Sequence, residues 1–371
     1  MNLYLNNITT GILVFFFVGY VTIIPYAIWQ YRKLGRFSFS RALLTYSFIL
    51  YMLTAYFLVI LPLPSLEEVI ASPGQKSNFY PLMFIKDFWT TSGIIALQPA
   101  TWVSALKHPT FYTAAFNFLL TLPFGVYCRR YLRLTKGKAL LASFALTLFY
   151  ELSQLSGLFF LYPKPYRTFD VDDLIINTLG SMAGYALGRP LAVIWPREKA
   201  GPISQSLEPV PIFRRFLAYL VDMLLVSALV SVGEVLGALL RLSSPAWVCA
   251  GLWLAYVLYF IVLAYFLHGR TPGKILLKTR VADAETGMPP SLTRLSARYG
   301  LWLLMFQLGT LFQPLLESAS SPQMQLLNLL PLLLSLLGYG NLAWKVLRRK
   351  RILWYEELTH TKVVAQALPE A

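Results

Sequence analysis

Several acidic and amide side chains stand where an apolar sequence would not be expected to hold them, at spacings that let them act together. Glu151 and Gln154 are three residues apart, so a helix puts both on one face. Arg167, Asp170 and Asp173 follow in YRTFDVDDLIINTLGSMAG, and Asn177 lies one helical turn past Asp173. Asn117 sits earlier, in NFLLTLPFG. Such a set suits binding of a polar headgroup, acid–base chemistry by a buried Glu151, or a divalent cation held by the aspartates. It equally suits the plain task of hydrogen-bonding within itself to pin a helix bundle, and the residues alone leave these alternatives open. No metal site and no cofactor is assigned. Asp172 reads as a solvated loop aspartate without a role. His108, His268 and His360 lie away from the cluster, which counts against a membrane enzyme acting on a lipid phosphate.

A second set begins at Arg214 and Arg215, with Asp222 seven to eight residues on. Two helical turns bring these positions back to one face, so an extended arginine is expected to approach Asp222 as an intramembrane ion pair. An ion or small-solute transporter relaying charge through such groups is the alternative function. The stretch Gly269–Lys274 resembles a phosphate loop only superficially. Three residues rather than four separate its glycines, Ile275 follows the lysine, and no strand is expected before it, so no nucleotide is expected.

The elements that position these groups follow from composition. Of 371 residues, 57% are hydrophobic and 13% charged, against about 25% charged in ordinary globular proteins. That charge cannot clothe a soluble surface, and no long basic polar face exists for nucleic acid despite a net charge of +15. The expected fold is all-α, a polytopic transmembrane bundle of about nine helices over residues 8–29, 42–61, 111–128, 139–162, 174–195, 216–240, 246–267, 299–316 and 323–344. For the last two, Pro314 and the polar stretch 318–323 leave a kinked or re-entrant pair open as the alternative to two spans. With the N-terminus outside and the C-terminus inside, 26 of the 32 Lys and Arg residues fall on the inner side, as the positive-inside rule demands. Glu151 then lies near the midplane and the other cluster residues toward the outer face. The apolar loop 63–110 is expected to lie partly in the interface. The Pro- and Ser-rich segment 197–211 reads as a cytoplasmic linker between a five-helix module (1–196) and a four-helix module (212–366). Membrane lipids are the expected partners, the basic tail 345–351 anchoring to anionic ones. Cys128 and Cys249 read as small apolar fillers.

The blocks NFYPL (78–82), NFLLTLPFG (117–125), YELSQL (150–155) and RTFDVDDLIINTLGSMAGY (167–185) resemble, in this order, the VanZ family over roughly residues 1–195. Its members are membrane proteins associated with low-level resistance to glycopeptide antibiotics such as teicoplanin. The resemblance implies a multi-pass protein of the bacterial plasma membrane but supplies no reaction; the leading functional expectation is that the outward-facing cluster engages a lipid-linked cell-wall precursor or a glycopeptide. RRFLAYLVD (214–222), HGRTPGKILLKTRVADAETG (268–287), Arg298 and RRKRILWYEELTHTKVV (348–364) resemble the RDD family over roughly residues 210–366. Glu356 stands where that family's tail usually carries Asp, and His360 where Gly is common.

Overall fold

A computed structural model describes residues 2–61, 63–73, 77–192, 208–242, 244–317 and 329–366. The chain divides into two compact units, Met1–Ile23 with Ser38–Lys199 and Ile24–Phe37 with Ala200–Ala371. Among the described residues the architecture is all-α apart from one short ribbon. Most of the expected linker lies outside the described residues, as do 193–195 and the polar stretch 318–323.

In the first unit the long elements are the start of α1 (Asn2–Leu34), α2 (Phe39–Ile60), α6 (Pro109–Arg130), α7 (Lys136–Leu155) and α8 (Val171–Leu187). The connection from α2 to α6 carries three short helices, α3 (Leu66–Ala71), α4 (Met83–Thr91) and α5 (Trp102–Leu106). Along it Ile85, Trp89, Leu97 and Val103 stay exposed, which fits an interfacial segment rather than a water-facing loop. Helices α6 and α8 form the tightest seam. A Cβ on Gly125 would lie 1.7 Å from the Ser181 carbonyl oxygen, and one on Gly184 would lie 1.8 Å from that of Leu122. Small residues permit this approach, and the reward is van der Waals packing that hydrocarbon tails cannot supply.

The second unit holds α9 (Ile212–Leu239), α10 (Pro245–Phe266), α11 (Pro272–Leu276), α12 (Leu292–Phe306), α13 (Leu308–Glu317), α14 (Leu329–Leu347) and α15 (Trp354–Leu358). Residues Leu258–Leu263 of α10 form a π-helical turn. The last turns of α1 belong here, with Ala27 and Tyr31 packed on Leu217, Ala218 and Leu277. Strands β1 (Thr279–Asp283) and β2 (Thr361–Ala365) pair antiparallel, joining the loop after α11 to the tail, and Val210 donates to the Val363 carbonyl beside them.

Among the described residues, six helices are each long and apolar enough to cross a membrane, and seven if the bent pair α12–α13 counts as one span. At most 22% of any such window is buried, so the apolar surface faces outward, as lipid-facing surface must. Helices α7 and α8 fall short of that test although the sequence suggests spans there. Helix α8 has 17 residues, and α7 spends Ser143, Thr147, Glu151, Ser153 and Gln154 on buried contacts. The bend of 56° between α12 and α13 falls at Gln307, not at Pro314. The Gln307 side chain there bonds both Tyr219 and Tyr256, which anchors the break.

Gly125→Ala or Gly184→Ala should force the α6–α8 seam apart and cost roughly 1–3 kcal/mol. Gly137→Ala, whose Cβ meets open space, should stay within about 0.5 kcal/mol. Thermal unfolding of the purified protein in detergent reads the difference, and equal melting temperatures would contradict the seam.

Candidate functional site

The four sequence blocks around the first cluster meet in one place. The Asn78 amide donates to the Phe169 carbonyl at 2.8 Å and the Val171 amide to that of Asn78 at 3.1 Å, laying 78–82 beside 167–173. Glu151, buried to 3% exposure, accepts from the Asp170 amide at 3.0 Å. The Asp170 carboxylate accepts from the Asp172 amide at 2.8 Å and from Asn78 Nδ2 at 2.9 Å. It is the N-cap of α8, where an aspartate satisfies a free amide and sits well in the helix dipole. Below it, Asn117 Nδ2 donates to Asp173 Oδ1 at 2.8 Å, and one turn deeper Thr121 Oγ1 donates to the Asn177 carbonyl at 2.8 Å. The Asn177 Oδ1 is buried without a partner.

Arg167 and Gln154 take a different part. Arg167 donates from Nη1 to the Val59 carbonyl (2.6 Å) and from Nη2 to that of Leu61 (3.2 Å); Gln154 Nε2 donates to Val59 at 3.1 Å. These are terminal carbonyls of α2, which the helix itself leaves unsatisfied. Both side chains are therefore C-terminal caps of α2. Asp172 corrects the sequence reading more sharply. It is 2% exposed and accepts from the Leu82 and Phe84 amides, so it fixes the start of α4, where Leu82 has a left-handed φ of 66°. The connection between α2 and α6 folds back over the helix start and shuts this aspartate away from water. The charges acting on Glu151 are Asp173, Asp170 and Arg167. Among the described ion pairs, none involves Glu151, Asp170, Asp172 or Asp173.

In the second unit the expected pairing of Arg214 and Arg215 with Asp222 is not formed. Seven or eight residues along a helix are about 11 Å of axial rise, and nearer partners take each group first. Arg214 donates to the Leu277 and Lys278 carbonyls at 2.9 and 3.0 Å and stacks over Tyr31. Arg215 Nη1 meets Glu356 Oε2 at 2.7 Å, and Arg298 Nη2 meets Glu356 Oε1 at 2.7 Å. Fully buried Asp222 accepts from Tyr259 (2.8 Å), Thr271 (2.6 Å) and the Gly273 amide (2.7 Å), with Lys274 Nζ at 3.7 Å. A Cβ at Gly273 would meet the Ala218 carbonyl at 2.1 Å, so only glycine lets the loop approach. Burial alone would push the Glu356 carboxyl up, but Arg298, Arg215 and the Leu353 amide hold it below its ordinary value. Among the described residues no group of three His, Cys, Asp or Glu is placed to hold a metal ion.

Comparison with family models decides what these halves are. Residues 48–194 match VanZ/LLP1 and residues 209–355 match the RDD family. The chain is a VanZ-like region joined to an RDD region. No curated protein and no solved structure matches the chain. The VanZ-like match encloses the whole Glu151–Asp173 cluster, and the RDD match encloses Arg214, Arg215, Asp222 and Arg298. It stops one residue short of Glu356, the acid on which both arginines converge.

Sequence reasoning missed the roles of Asn78, Asp172, Lys274 and Tyr259. Asn78 and Asp172 lay inside quoted blocks, and Thr271–Pro272–Gly273 is an N-cap, helix-start and close-approach signature. Tyr259 gave no signal.

Glu356→Gln should leave two guanidinium groups facing each other and cost about 3–5 kcal/mol. Because the folded carboxyl titrates below its unfolded value of 4.5, the wild-type advantage should be complete above that pH. It should fade as pH falls through the folded value. Melting temperatures across pH check this, and an advantage already lost at neutral pH would contradict it.

Proposed function

We propose that the VanZ-like region binds, at its outer polar cluster, the donor-rich headgroup of a lipid-linked cell-wall precursor or a glycopeptide antibiotic, and thereby alters susceptibility to such drugs. The reading places the protein in a bacterial cell membrane with the N-terminus outside and the C-terminus inside. The observation that carries it is an excess of acceptors. Glu151, Asp170 and Asp173 are gathered without an ion pair, and Asn177 Oδ1 beside them is buried and unpartnered. A hydroxyl, amide or ammonium ligand supplies what such a site lacks, whereas a bare phosphate would be repelled. The exposed apolar connection α3–α5, tied to the cluster through Asn78 and Asp172, suits a ligand presented at the membrane surface. The transporter alternative gains nothing from Asp222, whose oxygens are already met by three hydrogen bonds and a lysine.

Glu151→Gln and Asn177→Ala, both confirmed to reach the membrane at wild-type level, should return teicoplanin susceptibility to that of cells lacking the protein. Unchanged susceptibility in both would overturn the reading. Arg167→Ala should instead lower the amount of protein, since it uncaps α2.

A further inference from the structure

The RDD region contains a cavity of about 250 Å³ with two unlike ends. Its closed end is charged, with Arg215, Arg298, Lys274 and Asp222 in the wall. Its other lining is aromatic and aliphatic, including Phe216, Tyr219, Trp302, Tyr339 and Leu342. The exposed members of the lining are apolar, Phe216 at 48% and Tyr339 at 54%, so the way in passes an apolar flank.

The charges at the closed end do not cancel. Among the described ion pairs, Arg215, Lys274 and Arg298 meet two carboxylates, Asp222 and Glu356, leaving one positive charge in excess. Donors also remain. Arg215, whose side chain is 10% exposed, spends Nε on the Val210 carbonyl and Nη1 on Glu356, but its Nη2 is buried with no partner. The Tyr299 hydroxyl, on a residue 5% exposed, is likewise buried and unpartnered. Lys274 Nζ is 3.3 Å from Thr271 and 3.7 Å from Asp222, and lies over the Tyr299 ring, 5.6 Å from its centre. Leaving such groups unmet in a low-dielectric interior is costly, and an anion would meet all three.

We propose that this cavity binds an anionic amphiphile. Its charged group sits among Arg215, Lys274 and Tyr299, and its apolar chain leaves past Trp302, Tyr339 and Leu342. The site is independent of the outer cluster and involves none of its residues. A small soluble anion fits poorly, because the exposed side of the lining is apolar.

The test uses the full chain in nonionic detergent at 0.5 M salt, which screens surface binding by the basic tail. Native mass spectrometry compares retention of phosphatidylglycerol with that of phosphatidylcholine, and thermal shift reports inorganic phosphate. Wild type should retain one phosphatidylglycerol in preference to phosphatidylcholine and show no shift with phosphate. Tyr299→Phe loses no bond within the protein, so it should fold as wild type and weaken retention about tenfold, as expected for one hydrogen bond to a charged group. Leu342→Trp, which fills the apolar end without touching a charge, should weaken it at least as much. Equal retention of the two lipids, retention unchanged in both variants, or stabilisation by phosphate alone would each overturn the proposal.

Discussion

A carbonyl or carboxylate left without a partner inside a bilayer costs several kcal/mol, because hydrocarbon offers no hydrogen bond in place of the one that is missing. That constraint organises both regions of this chain. In the VanZ-like region side chains finish the ends of α2 and α8: Arg167 and Gln154 reach from other elements to the α2 carbonyls, and Asp170, the N-cap of α8 itself, takes the Asp172 amide. In the RDD region Asp222 draws the loop before β1 onto α9, and Glu356 draws the tail onto Arg215 and Arg298. Most of these polar residues thus hold a piece of backbone in place.

Satisfaction is uneven, and the unevenness locates function better than polarity does. Most of the polar groups of the Glu151 cluster are used up in holding the fold. What remains is a surplus of acceptors around Glu151 and Asn177 in one region and a surplus of donors around Arg215 and Tyr299 in the other. The two surpluses have opposite sign and would select different chemistry, donor-rich headgroups at the first and anions at the second. Fusion of the two regions in one chain therefore does not require that they share a ligand.

Much of the fold was legible because periodic apolar runs and small-residue seams are local signals. Glycines at 125 and 184 carry the α6–α8 seam, and the buried position of Glu151 follows from its place in an apolar run. What escaped was long-range. Asp172 has the sequence context of a solvated loop residue, and only the fold-back of residues 78–84 buries it. Asp222 was expected to use arginines of its own helix, yet a loop fifty residues away supplies Thr271 and Gly273. The β1–β2 pairing joins segments some eighty residues apart, so neither strand reveals its partner. Spacing within one helix is readable; competition between helices and loops for a charge is not.

We propose that the acceptors around Glu151 are a ligand site and not only a clamp. Equilibrium binding of a purified lipid-linked cell-wall precursor to the full chain in nanodiscs, wild type against Glu151→Gln at matched thermal stability, tests it most directly. Saturable binding by wild type and at least tenfold weaker binding by the variant is the predicted result. No saturable binding by wild type, or equal affinity in the two proteins, would contradict it.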